Sequence, residues 1–132
     1  MRTHLWYGLL LVLLVGASGC GGGPEAIKKD QIWVTREITV ILEGIKDDAS
    51  ADAAIAKLDK AADRLAELNK RFSEQSLSKE EGLKLMEYAQ ETADTQKKMD
   101  AAQTKALAAA PGKSKQIAAA MAKTTPKFNI GK

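Results

Sequence analysis

Histidine occurs once in this 132-residue chain, as His4, and cysteine occurs once, as Cys20. From residue 5 onward there is no imidazole, which excludes histidine general-base catalysis and histidine-ligated metals or haems from that part of the chain. A di-metal centre in a helical bundle wants Glu-x-x-His on facing helices, and no such pair exists. The one glycine run, Gly21–Gly23, has neither a following lysine nor a preceding strand, so it is no phosphate-cradling loop. Proline occurs only at 24, 111 and 126, and aromatic residues make up 5% of the chain, so helix breakers and strand formers are both scarce. Carboxylates remain, but Glu43, Asp47 and Asp48, like Glu80 and Glu81, fall at expected helix ends, where water solvates them. Acid–base work by carboxylates alone needs a cleft that shifts a pKa. The expectation is a protein that is not an enzyme and uses no cofactor.

Only one long apolar run is present. Leu5 to Val15 spans eleven residues without a charge, preceded by Arg2 and followed by the small residues Gly16, Ala17, Ser18 and Gly19. A helix needs about 20 apolar residues to cross a hydrocarbon layer of ~30 Å, so this run is short for a permanent span. A positive start, a short apolar stretch and a small-residue exit describe a secretory signal peptide over residues 1–19. A lone thiol in an oxidising compartment invites intermolecular pairing, which acylation of Cys20 would remove. The four residues Ala17-Ser18-Gly19-Cys20 resemble the lipobox of bacterial lipoproteins, with Ala17 in place of the leucine commonest there. The resemblance covers residues 1 to about 23 and implies cleavage before Cys20, a thioether-linked diacylglycerol on its sulfur and a third acyl chain on its amine. Two or three acyl chains make release from a bilayer negligible, where one holds only marginally. Residues 20–24 then read as the lipidated cysteine and a glycine-rich tether, with Pro24 at the first position of a helix. Gly21 lacks the aspartate that marks inner-membrane retention, so the resemblance implies an exported, membrane-anchored chain on the outer membrane, facing the periplasm.

After the tether, residues 25–110 predict an all-α fold: an elongated helical hairpin or three-helix bundle, with a self-associated four-helix arrangement as the alternative. Ile27, Val34, Ile38, Ile41 and Ile45 form a heptad-type seam over about 25–46, widened by Trp33, Val40 and Leu42. The β-branched stretch 32–42 would suit a strand in isolation, but the period is helical and no strand partner lies nearby. Ser50 is a plausible N-cap for a second helix to about Glu74, with Ala51, Ile55, Leu58, Ala62, Leu65 and Phe72 in one stripe, Leu68 beside it, and Asn69 interrupting it. Asp59, Asp63 and their neighbours make the opposite face, read as solvated. Ser78 and Glu81 match a capping box opening a third helix to about Ala110. That helix should pack through its first half, since large apolar residues give way to Gln and Thr in the second. The first two helices, matched at ~33 and ~39 Å, should pair antiparallel.

Residues 111–132 read as a basic segment with a short helix, Ile117 and Met121 being an i, i+4 pair, and a frayed tail. Residues 101–132 carry Lys105, Lys113, Lys115, Lys123, Lys127 and Lys132 and no acid. These six lysines are the candidate contacts for anionic lipid, cell-wall or envelope polymers. Nucleic acid offers the same charge match, but export removes it as a partner. Two further resemblances bear on function. Residues 34–72 are similar in composition to the hairpin of periplasmic four-helix cytochromes, without the axial histidine, so haem is not implied. In plan the chain resembles small helical murein lipoproteins, which implies Lys132 as a point of attachment to peptidoglycan. The expected role is that of a non-enzymatic envelope lipoprotein, structural or partner-binding. Its expected partners are the membrane through Cys20, another envelope protein or peptidoglycan, and further copies of itself.

Overall fold

In the computed structural model, residues 23–125 are described; the signal segment, Cys20, Lys127 and Lys132 lie outside them. Five helices follow in order: α1 (Pro24–Glu43), α2 (Asp48–Ser73), α3 (Lys79–Met86), α4 (Ala89–Ala109) and α5 (Ser114–Ala122), with a 3-10 turn at Pro111–Lys113. No strand occurs among the described residues. The expected all-α bundle is present, and its core is the α1–α2 hairpin. Val34, Ile38 and Leu42 of α1 meet Leu58, Leu65 and Leu68 of α2 in one buried cluster. Ile41, Ile55 and Phe72 pack at its edge, half-buried.

The hairpin turn is capped differently from the expectation. Asp47, not Ser50, is the N-cap of α2: its carboxylate accepts from the Ser50 amide at 2.8 Å, and the Ser50 hydroxyl accepts from the Asp47 amide at 3.0 Å. An aspartate three residues before a serine satisfies two orphan donors at once, and this reciprocal arrangement starts the helix earlier. The hydrogen bonds that Ser50 offers, its amide first, hold the Asp47 carboxyl below its usual pKa. At the next helix start, the Ser78–Glu81 box forms as read from the sequence.

The third helix is not continuous. At Glu87 and Tyr88 the backbone switches to amide bonds three residues back, to Lys84 and Leu85, and α3 ends there. The expected packing of its two halves is reversed. No residue of α3 is buried, while α4 buries Thr95, Met99, Ala102 and Ala106. The reason is size. A stripe of alanine and threonine lets α4 lie close along α1, whose matching flank is Ile32, Thr35 and Thr39. The threonine hydroxyls are satisfied inside their own helices: Thr35 bonds the Gln31 carbonyl, Thr39 that of Thr35, and Thr95 that of Glu91. Because α4 takes this flank, Trp33 and Val40, expected to widen the seam, lie on the outer side of α1 and are exposed.

A fourth corner completes the bundle. Helix α5, from the segment read as a basic end, packs against both α2 and α4 and buries Ile117, Ala120 and Met121. The topology is up-down-up-down. Asn69 meets Gln31, so α2 runs antiparallel to α1; Tyr88 meets Glu25 and Gly112 meets Asp48, so α4 runs parallel to α1. Lys113 reaches Asp52 and Thr124 reaches Asn69, so α5 returns alongside α2. Gly112 sits against Asp48, its amide donating to the carboxylate at 3.2 Å, and a Cβ there would collide with that carboxylate and displace it.

Candidate functional site

Three regions outside the apolar core gather polar chemistry. The first is the interface between the basic segment and α2. Asp52, Asp59 and Asp63 lie at spacings of seven and four, hence along one side of α2. Lys113 Nζ approaches Asp52 at 2.8 Å, and Lys123 Nζ stands 3.3 Å from Asp63 and 3.4 Å from Asp59. Asp52 holds the Lys113 ammonium above its usual pKa, and Asp63 and then Asp59 do the same for Lys123. The structure therefore divides the six candidate lysines. Lys113 and Lys123 are engaged inside the chain, Lys105 and Lys115 are exposed, and Lys127 and Lys132 lie outside the described residues. The side of α2 read as merely solvated is in part the docking face of α5.

A raised lysine pKa has a definite sign. The contribution of these pairs to stability is complete below the ordinary lysine pKa and is lost as pH rises through the raised folded value. Alkaline titration should thus loosen α5 first. The expected readout is a loss of amide protection at Ile117 and Met121, measured relative to the intrinsic exchange rate at each pH, setting in only above the ordinary lysine pKa of about 10.4. Lys113→Gln with Lys123→Gln should remove that alkaline step; an unchanged step would assign it to other groups.

The second region is a polar layer near the start of α1. Gln31 Nε2 donates to Asn69 Oδ1 at 2.8 Å, and Asn69 Nδ2 donates to the Thr124 carbonyl at 3.3 Å. Asn69 interrupts the apolar stripe of α2 because it ties α1 to the chain that follows α5. The Gln31 Oε1 atom and the Thr92 hydroxyl oxygen are buried with no partner among the described residues.

The same end of the bundle carries a charged cluster. Tyr88 Oη donates to Glu25 Oε1 at 2.8 Å, Lys29 stands 3.7 Å from Glu25, and its Nζ lies 6.0 Å from the Tyr88 ring centroid. The Tyr88 hydrogen bond holds the Glu25 carboxyl below its usual pKa and raises the phenol of Tyr88. Lys28 lies over the Phe72 ring at 4.7 Å, and burial pushes its ammonium pKa down. Nothing in the sequence pattern announced this link, because it joins residues 63 apart through the packing of α4 on α1.

The third region is an open groove of about 620 Å³ between α1 and α4, lined by Arg36, Val40, Glu43, Glu87, Asp94 and Lys98, among others. Arg36 pairs with Glu91 across it. Mixed charge on an open trough suits solvation and loose contacts and builds no acid–base pair. Among the described residues no three His, Cys, Asp or Glu side chains are placed to hold one metal ion. No described helix is long and apolar enough to cross a membrane. Compared with protein families, curated proteins and solved structures, the chain matches none.

Proposed function

We propose that this chain is a non-enzymatic envelope lipoprotein: a helical bundle held at a bacterial membrane by acyl chains on Cys20, with a structural or partner-binding task. The observation that carries the reading is Ala17-Ser18-Gly19-Cys20 directly after the apolar run Leu5–Val15. Export to the periplasmic face of the outer membrane, and contact there with another envelope protein or with peptidoglycan, belong to the same proposal. The carboxylates of Glu37, Asp52, Asp59, Asp63 and Glu91 support a non-catalytic role, since each is paired with lysine or arginine.

A second reading makes the basic segment an adhesive for anionic lipid or wall polymers. The pairing of Lys113 and Lys123 with α2 favours the structural reading, because those two charges already have partners. Mass spectrometry of the membrane fraction tests the anchor. The expected species begins at Cys20 and carries the mass of diacylglycerol, with or without a third acyl chain. A free cysteine, or a chain retaining Met1–Gly19, overturns the proposal.

A further inference from the structure

Besides Trp33 and Val40 on α1, the exposed large apolar side chains of the described residues gather at α3. Leu83 is 58% exposed and Met86 69%, and Leu77, just before the helix, is 46% exposed. Leu83 and Met86 are three residues apart and share one face of α3, with Lys79 four residues before Leu83 on that same face. The opposite side is turned toward α1, where Leu85 is half-buried. A helix opened by the Ser78–Glu81 capping box is thus held in place while offering two apolar side chains outward.

Its position supplies the occupant. Helix α3 packs against α1 beside its first turn: Lys84 acts on the charge of Glu25, and Tyr88, just past α3, bonds Glu25 directly. Only Gly21, Gly22 and Gly23 separate Cys20 from Pro24. Four residue steps reach ~14 Å at most when fully extended, little more than the ~10–12 Å diameter of one helix. Acyl chains on Cys20 would therefore hold the α3 end of the bundle against the headgroup layer, with the α1–α2 turn at the far end.

We infer that α3 is an interfacial helix, its Leu83 and Met86 inserted among the lipid headgroups and upper acyl chains of the membrane to which Cys20 is attached. The inference rests on the proposed anchor and adds an orientation to it. The charges of α3 balance, Lys79 and Lys84 against Glu80 and Glu81, so the contact is apolar and does not depend on anionic lipid. In this it differs from a lysine-driven contact, which salt would screen within ~8 Å at physiological ionic strength.

The test uses the full protein, processed in its own membrane and reconstituted into phosphatidylcholine vesicles. Leu83→Cys, Met86→Cys and, as the distal control, Ala53→Cys each provide a single labelling site, because the Cys20 sulfur carries lipid. All three positions are exposed, and far-UV circular dichroism checks that the helices remain. An environment-sensitive fluorophore at 83 and 86 should emit to the blue and be quenched several-fold by lipids bearing a nitroxide high on the acyl chain. The label at 53 should stay aqueous, and high salt should leave the pattern unchanged. Acylated Cys20 with aqueous labels at 83 and 86 overturns the interfacial helix and leaves the anchor standing. Blue emission without lipid quenching means that protein, including a second copy of the chain, covers α3, and overturns it too. An unmodified Cys20 overturns the anchor and the orientation together.

Discussion

Replacing Ile117 by alanine is expected to lower the free energy of unfolding by ~2–5 kcal/mol, the cost of truncating a large side chain in a packed core. Ile117 is fully buried between α2 and α4, in the same cluster as Ile38. Ile38→Ala should therefore lose a comparable amount, whereas Lys115→Ala, on the exposed side of α5, should change stability by less than about 0.5 kcal/mol. Urea denaturation followed by circular dichroism measures all three, given that a single domain of this size unfolds cooperatively. If Ile117→Ala behaved like Lys115→Ala, α5 would be a dispensable end and the bundle would have three working corners.

The second large effect is expected at the polar layer. Asn69→Ala removes the acceptor of the Gln31 amide and the donor to the Thr124 carbonyl in one step. Leaving buried polar groups without partners costs ~1–3 kcal/mol each, more than the hydrogen bonds themselves contribute. Replacing both partners is a different matter. Gln31→Leu with Asn69→Leu puts apolar atoms where Gln31 Oε1 is already unpartnered, so the double variant should be more stable than Asn69→Ala. It should also hold the end of α5 less firmly, since the Thr124 carbonyl stays unpaired. Amide exchange at Met121 and Thr124, against the global unfolding energy, separates the two effects. A double variant as unstable as the single one would show that the layer acts through geometry and not through satisfied polarity.

The hairpin was legible in the sequence because large apolar side chains mark it at helical spacing. Val34, Ile38, Leu58 and Leu65 announce a seam by their size, and the structure places them in it. The same criterion misreads the rest. Leu83 and Met86 look like core and are exposed, while Ala102, Ala106 and Ala110 look like filler and are buried. Hydrophobic periodicity registers how much apolar area a face could bury, but two helices also associate where small residues let their backbones approach. Charge was misread for a related reason. Counting residues 101–132 shows lysines without acids, but the acids that answer Lys113 and Lys123, namely Asp52, Asp59 and Asp63, come from α2 some sixty residues earlier. Their spacing is present in the sequence, and only the return of α5 along α2 gives it meaning. For the candidate functional sites the limit is the same. The proposed anchor rests on a motif that is local in sequence, whereas the orientation inferred for the bundle rests on contacts between distant residues, such as Tyr88 with Glu25.

The up-down-up-down order has a mechanical consequence. Pro24 begins α1 beside Lys28 and Phe72, and Thr124 leaves α5 beside Asn69, so the described chain enters and leaves the bundle at one end. Tension applied between those two points would not slide helices past one another with every contact loaded at once. It would peel α5 from its free end, parting the Asn69–Thr124 bond first, then the Lys123 pairs, then Ile117. Unfolding under force follows the unfolding barrier and not the equilibrium stability, and sequential peeling keeps that barrier low. A bundle fixed at Pro24 and pulled from the residues after α5 would yield stepwise at small load, as a compliant link and not a stiff strut.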